Sequence, residues 1–409
     1  MSELRRESPY PMVPIEEAHR LIMARAVPLG VEEIDALASE GRVLAETVVS
    51  PDDIPDVPKA AMDGYALRAA DGVGQRRVVA EVTAGVEPGL VIGPGEAARI
   101  MTGAPMPAGA DAMIPVELTR EHAGVLTVER ALRSGDYVHT VGQDVARGAI
   151  VLQAGSMLGA ADVGLLATLG RTRVRVYRRP VVAVLATGDE IVEPGASRAP
   201  GAVRDSNRYA LMAAAREAGC TTISLGIARD DYNAQRDAIL AGLARADVLI
   251  TSGGVSMGTR DLIKPILAEL GTVHFGRIAF KPGKPTTFAT VGDKLVFGVP
   301  GYPVSSLVSF EVFVRPALRA LQGDERPHRP RVQVTLAGAL RPSPDRPEYQ
   351  RAEVRWEDGR LMARVTGGQG SSRLLSMRGA NALLLVPPGE EPYPAGAELD
   401  ALLTGPLAA

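Results

Sequence analysis

The sequence predicts a multidomain protein of the α/β plus β class. At its centre stands a doubly wound, mostly parallel α/β domain. A β-rich domain, a mixed N-terminal domain and a C-terminal β-barrel-like domain accompany it. Three observations carry this prediction. Between 180 and 322, short apolar runs alternate with helical ones, the signature of a parallel sheet covered on both faces. Between 60 and 146 the runs are short, β-like and separated by Gly and Pro. Between 329 and 405 β-like runs return around Glu357-Asp358-Gly359-Arg360, a hairpin signal.

Taken in order, residues 15–50 read as helical: Ile15, Ala18 and Ile22, then Ile34, Leu37, Ala38 and Leu44, recur near helical spacing. Pro51, Pro55 and Pro58 close that segment. The β-rich part carries Arg77–Val82 and Ala112–Glu117, with Gly93-Pro94-Gly95 as punctuation. The α/β part shows strands at 181–186, 222–227, 247–251 and 295–299. Helical runs lie near 207–219, 234–245, 262–270 and 304–321. The domains expected are 1–50 with 147–178, 51–146, 179–327 and 328–409.

Composition narrows the function. The 409 residues carry a formal net charge of −3 and only 4% aromatics. That gives neither a basic footprint nor stacking platforms for nucleic acid. Cys220 is the one cysteine, so no disulfide framework or cysteine-rich metal site is possible. The five histidines are scattered, never at i, i+4, which does not suit zinc. The N-terminus lacks a signal-peptide core and no apolar run approaches the roughly 18 residues of a membrane span. A cytoplasmic protein is expected.

In open α/β sheets, ligands sit beyond the carboxyl ends of the strands. Those ends carry Thr187-Gly188-Asp189-Glu190, Arg229-Asp230-Asp231, Thr251-Ser252-Gly253-Gly254-Val255-Ser256-Met257-Gly258-Thr259-Arg260-Asp261, and Pro300-Gly301-Tyr302-Pro303. Glycines let backbone N–H groups approach an anion, and carboxylates suit Mg²⁺ shared with a phosphate. Simpler explanations stand beside this one. Asp261 and Asp205-Ser206-Asn207 suit helix caps. Gly253-Gly254 suits a plain turn. Asp230-Asp231 suits solvated charge. Lys281-Pro282-Gly283-Lys284-Pro285, with Arg277 upstream, suits either a solvated loop or an oxyanion cradle. GxxxxGK[ST], GxGxxG and GxSxG are absent, and nothing supports thiol catalysis at Cys220.

These residues resemble the molybdopterin molybdenumtransferase family, the MoeA and gephyrin E-domain group. The likeness runs over nearly the whole chain. Ala61-Met62-Asp63-Gly64-Tyr65-Ala66, Met101-Thr102-Gly103-Ala104-Pro105, Thr187-Gly188-Asp189-Glu190, Ser252 to Gly258, Lys281 to Pro285 and Gln369-Gly370-Ser371 stand in family order. The resemblance implies that adenylylated molybdopterin is hydrolysed with Mg²⁺, that molybdate enters as substrate, and that AMP leaves. It also implies an elongated homodimer of four-domain chains, with the cleft between the α/β domain of one subunit and the β-rich domain of the other. A separate molybdopterin adenylyltransferase would supply the substrate through a transient contact.

Carried over residue by residue, Glu190, Asp230 and Asp261 are the expected Mg²⁺ and phosphate carboxylates. Thr187, Gly188, Ser252, Gly253, Gly254 and Ser256 form the expected ligand loops, with Pro300 and Pro303. Lys281, Lys284 and Arg277 form the basic loop. Arg351 and Ser371 close the molybdate region. Asp63, Thr102 and Asp144 act across the dimer. Arg277 stands where many members have lysine, and Tyr302 replaces a frequent asparagine. Arg277 keeps the charge but presents a planar fork to the anion, and the Tyr302 departure leaves room for a preference for tungstate over molybdate. Two rivals remain: an adenylyltransferase or CinA-like nucleotide pyrophosphatase, and a non-enzymatic scaffold.

Overall fold

Six strands form the central sheet. Their order is Thr221–Ala228, Val181–Thr187, Val248–Ser252, Lys294–Val299, Thr287–Val291 and Thr272–Phe275. The structure, a computed structural model, describes residues 10–255 and 261–407. The first four strands pair in parallel and the last two antiparallel. The strand Val248–Ser252 is buried at every position, as a strand between two neighbours with both faces covered must be. From Val181–Thr187 the chain moves to one side, and from Val248–Ser252 to the other. A crevice opens at such a switch point, beyond the carboxyl ends.

Each face has its own core. On one, Val182, Val184, Ile250 and Phe297 pack with Leu211, Val304, Phe313 and Leu318 from the helices Asn207–Glu217, Pro303–Ser309 and Arg315–Leu321 and the π-helical segment Phe310–Val314 between the last two. Ala18 and Ile22 of the N-terminal helix Ile15–Met23 join them. On the other, Ala183, Leu185 and Leu249 meet Ile239, Leu243, Ile263, Ile266 and Leu267 of the helices Tyr232–Leu243 and Ile263–Leu270. The rings of Phe288 and Phe297 lie 5.0 Å apart, which adds about 0.5–1.5 kcal/mol beyond area burial.

The helix expected over 15–50 is confined to Ile15–Met23. Val31–Asp35 is instead a strand, paired antiparallel with Arg173–Tyr177. Pro28 and Gly30 end helical propagation, and Val31-Glu32-Glu33-Ile34 suits a short paired edge. Leu44 and Val48 pack against Leu152, Leu158, Leu166, Val174 and Val176. The antiparallel strands at 287–291 and, at the sheet edge, 272–275 add to the four expected ones. The Ala112–Glu117 run stops as a strand at Pro115 and turns into a 3-10 segment.

A second six-stranded sheet runs Ala112–Pro115, Gly64–Leu67, Glu96–Ile100, Gly74–Val82, Val125–Val128, Thr119–His122. Toward the C-terminus, the strands from Arg331–Leu336 to Glu398–Leu403 close a five-stranded barrel. Its hairpin Glu348–Glu357/Arg360–Val365 turns at Asp358 (φ 47°) and Gly359 (φ 76°), two successive positive φ values that Asp-Gly tolerates. Among the described residues no helix is long and apolar enough to cross a membrane.

Candidate functional site

The crevice is a cavity of about 840 Å³. Its lining comes from four strand ends: Thr187, Gly188 and Glu190; Asp230; Ser252, Gly253, Gly254 and Asp261; and Pro300, Gly301, Tyr302 and Pro303. Asn207 and Asp205 enter from the helix start at 205–207. Ser372 and Leu374 enter from the C-terminal part.

Backbone geometry builds this floor. Gly253 has φ 95°, and a Cβ there would stand 2.8 Å from the Thr187 carbonyl oxygen. Only glycine lets the two loops approach so closely. Gly188 has φ 139°, and a Cβ would meet the Glu190 carboxylate at 2.7 Å. The glycine thus lets Glu190 fold back over its own turn. Thr187 Oγ1 donates to the Ser252 carbonyl at 3.3 Å. Asn207 Nδ2 donates to Ser252 Oγ at 2.9 Å and to the Gly301 carbonyl at 2.7 Å. Ser306 Oγ lies 3.4 Å from Ser252 Oγ and donates to the Pro300 carbonyl at 2.5 Å. Asn207 and Ser306, neither of them an expected site residue, therefore staple two strand ends, and the Thr187 hydroxyl ties in a third. Neither lies in a motif, and the only sequence signal near them is the cap-like Asp205-Ser206-Asn207.

The capping alternatives separate cleanly. Asp231 caps the helix Tyr232–Leu243 by accepting from the Ala234 N–H at 2.9 Å. Its neighbour Asp230 lines the cavity and accepts from Gln235 Nε2 at 3.4 Å. The cap residue of Ile263–Leu270 is Leu262, with no side-chain cap, and Asp261 lines the cavity. Asp205 does serve its helix: buried, it accepts from the Arg208 N–H at 3.0 Å and from Arg208 Nε at 2.7 Å. Lys264, one turn beyond Asp261, is 7% exposed. Burial lowers its ammonium pKa, Asp261 opposes that shift and Arg277 adds to it.

Residues 13–170 match the MoeA N-terminal region (domain I and II), 183–320 a probable molybdopterin binding domain, and 333–404 the MoeA C-terminal region (domain IV). The chain belongs to the MoeA family. It is 34% identical to the molybdopterin molybdenumtransferase of Bacillus subtilis, over 96% of this chain and 94% of that protein. It is likewise 34% identical to gephyrin of Dictyostelium discoideum over 98% of this chain, and spans 64% of that longer protein. The crystal structure of the molybdopterin biosynthesis MoeA protein of Pyrococcus horikoshii superposes with a TM-score of 0.81 at 33% identity, covering 97% of this chain and 100% of that one.

Within this MoeA-family fold the expected site residues divide. Glu190, Asp230, Asp261, Thr187, Gly188, Ser252, Gly253, Gly254, Pro300 and Pro303 share one cavity. Lys281, Lys284 and Arg277 do not line it; Pro285 is the member of their loop that does. Lys281 Nζ sits 3.2 Å from Glu348 Oε1. The backbone locks the two together, Lys281 N–H donating to Pro347 at 2.9 Å and Tyr349 N–H to Lys281 at 2.7 Å.

Arg351 corrects its expectation. Its residue is 0% exposed. The guanidinium donates to the carbonyls of Gln369, Gly368 and Gly370 and to Ser376 Oγ at 3.0–3.4 Å. It shapes the loop rather than facing a ligand. Ser371 accepts from the Val304 N–H at 3.1 Å through its carbonyl, and Ser372 is the residue lining the cavity. Asp63 and Thr102 are together but lie elsewhere, on the second sheet. Asp63 Oδ1 accepts from both the N–H and the hydroxyl of Thr102 at 2.7 Å, and the backbone bond foremost holds its carboxyl below the usual range. Asp144 is exposed, with its N–H on the Ile54 carbonyl at 2.9 Å. Ser256 lies outside the described residues. Cys220 is buried, and burial pushes its thiol up to about 12, which leaves it inert at neutral pH.

Proposed function

We propose that this chain inserts molybdate into adenylylated molybdopterin with release of AMP, using the crevice at the sheet's carboxyl edge. The observation that carries the reading is the meeting of Glu190, Asp230 and Asp261 with the Ser252-Gly253-Gly254 turn in one cavity. Glycines let a phosphate approach the backbone of this turn closely, and the carboxylates offer oxygen ligands beside it.

The donor set fits Mg²⁺. It is all oxygen. Among the described residues no three acidic, histidine or cysteine side chains close into a metal cage. Magnesium takes one or two carboxylates, keeps several waters and shares substrate oxygens, so a substrate-completed site suits this cavity. One or two of Glu190, Asp230 and Asp261 would hold it, and it would supply charge neutralisation at the phosphoric anhydride. The chain's own residues do the rest. The stapled turns fix the phosphate, converting an encounter of two anions into a nearly unimolecular step. Glu190 or Asp230 orients the attacking water, and the AMP phosphate departs along the glycine turn.

Asp63, Thr102 and Asp144 join the cleft only from a second copy of the chain, and a homodimer is part of this proposal. Met62 and Met101, beside Asp63 and Thr102, are each 44% exposed, as suits a surface that a partner covers. A separate adenylyltransferase delivers the substrate, and the reaction belongs to the cytoplasm. The test incubates purified protein with adenylylated molybdopterin and molybdate, with and without Mg²⁺, and quantifies AMP and metallated cofactor. AMP release that requires Mg²⁺ supports the reading; consumption of ATP in place of the adenylylated pterin replaces it with an adenylyltransferase.

A further inference from the structure

One large ring in the crevice is unused by the account so far. Tyr302 is 63% exposed and lines the cavity. It is the only aromatic residue among the described lining; the others are small, polar or aliphatic. Aromatics make up 4% of the chain, so a ring left in solvent at the mouth of its main crevice asks for a use. Its backbone is fixed from both sides. The Tyr302 carbonyl accepts from the Ser306 N–H at 2.9 Å, and the preceding Gly301 carbonyl accepts from Asn207 Nδ2 at 2.7 Å. Tyr302 φ is −75° with ψ 131°, an unstrained extended conformation. The ring is presented on a rigid turn, which lowers the ordering cost of stacking on it.

We propose that the face of Tyr302 stacks on a planar heteroaromatic ring of the bound substrate and supplies affinity that the charged groups do not. This rests on the reading of the cavity as the site of an adenylylated pterin. Such a molecule carries two rings of that chemistry, the adenine and the pterin, joined through the phosphates that the carboxylate edge would grip. Leu374, in the same lining, adds apolar surface for the ring. Base–aromatic stacking is tolerant of ring identity and strong enough to matter, about 5- to 100-fold in affinity for one ring.

The experiment measures binding of AMP, ribose 5-phosphate and metal-free molybdopterin by calorimetry to wild type, Tyr302→Ala, Tyr302→Phe and Tyr302→Asn. Substrate KM and kcat for AMP release are followed in parallel. Tyr302→Ala and Tyr302→Asn are expected to weaken one ring-bearing ligand about 5- to 100-fold and to raise KM with little change in kcat. Tyr302→Phe should restore both to within about threefold, since the ring face is kept. Ribose 5-phosphate should bind all four alike. Loss confined to AMP assigns the adenine; loss confined to molybdopterin assigns the pterin. Equal binding of both by wild type and Tyr302→Ala, or loss of ribose 5-phosphate binding in step, overturns the proposal. A wild type that binds AMP but never releases it from adenylylated molybdopterin would sink the proposed function instead, while the binding arms still decide the role of Tyr302.

Discussion

The acidic edge of the crevice and the cationic loop beside it solve the same problem of positioning charge in different ways. The acidic groups ride on the ends of parallel strands whose pairing register is fixed: Ala186 lies opposite Ser252, and Ser252 opposite Val299. Any loop leaving those strands must arrive at one edge. The cationic loop leaves an irregular segment, and its position is set by the C-terminal barrel through the Lys281–Glu348 pairing. Its Lys281 ammonium answers the Glu348 carboxylate of the chain itself. The lesson is that convergence follows from strand pairing, while the direction of a loop outside the parallel ladder follows from whatever packs on it.

Four measurements probe the acidic edge and the loops packed around it. Asp261→Ala should carry the largest effect, slowing AMP release by about 10³-fold through lost electrostatic stabilisation, with thermal stability unchanged. A fall of less than tenfold in single-turnover AMP release would move the chemistry away from the acidic edge. Arg351→Met comes next. It leaves the carbonyls of 368–370 without their buried donor and should cost on the order of 3 kcal/mol in denaturant unfolding. A variant as stable as wild type would show that the barrel does not depend on this staple.

Gly253→Ala follows, at about 2 kcal/mol, because a side chain there meets both an unfavourable φ and the Thr187 carbonyl. Chemical denaturation would measure it, and a neutral result would mean that the turn relaxes. The smallest effect belongs to the Lys281–Glu348 pair. The lysine side chain is 41% exposed, so screening limits its coupling to about 1 kcal/mol or less in a double-mutant cycle. A coupling several times larger would make the cationic loop a rigid extension of the barrel.

This contrast also explains what was legible in the sequence. The strands at 181–187, 221–228, 248–252 and 294–299 announced themselves as apolar runs, and the resemblance supplied the rest of the acidic edge. Strand 31–35 was hidden because Ile34, Leu37 and Leu44 fit a helical period, while the deciding partner, Arg173–Tyr177, lies far along the chain. Arg351 matched a motif, but burial depends on the 367–376 loop folding over it. Asn207 and Ser306 had no local signal, since a single amide or hydroxyl becomes a staple only when two strand ends meet around it. Residue type and spacing thus specify which groups reach an edge, and tertiary packing specifies which way they point.

Under the proposed function, the carboxylates of the sheet edge, rather than the lysines of the neighbouring loop, set a divalent-ion requirement. It is tested most directly by titrating Mg²⁺ against AMP release for wild type, Glu190→Gln, Asp230→Asn, Asp261→Asn and Lys281→Ala. The account predicts that the half-saturating Mg²⁺ concentration rises at least about tenfold for one or more carboxylate variants, a loss of about 1.4 kcal/mol or more, and stays within about twofold for Lys281→Ala. Three carboxylate variants indistinguishable from wild type in that titration would contradict it.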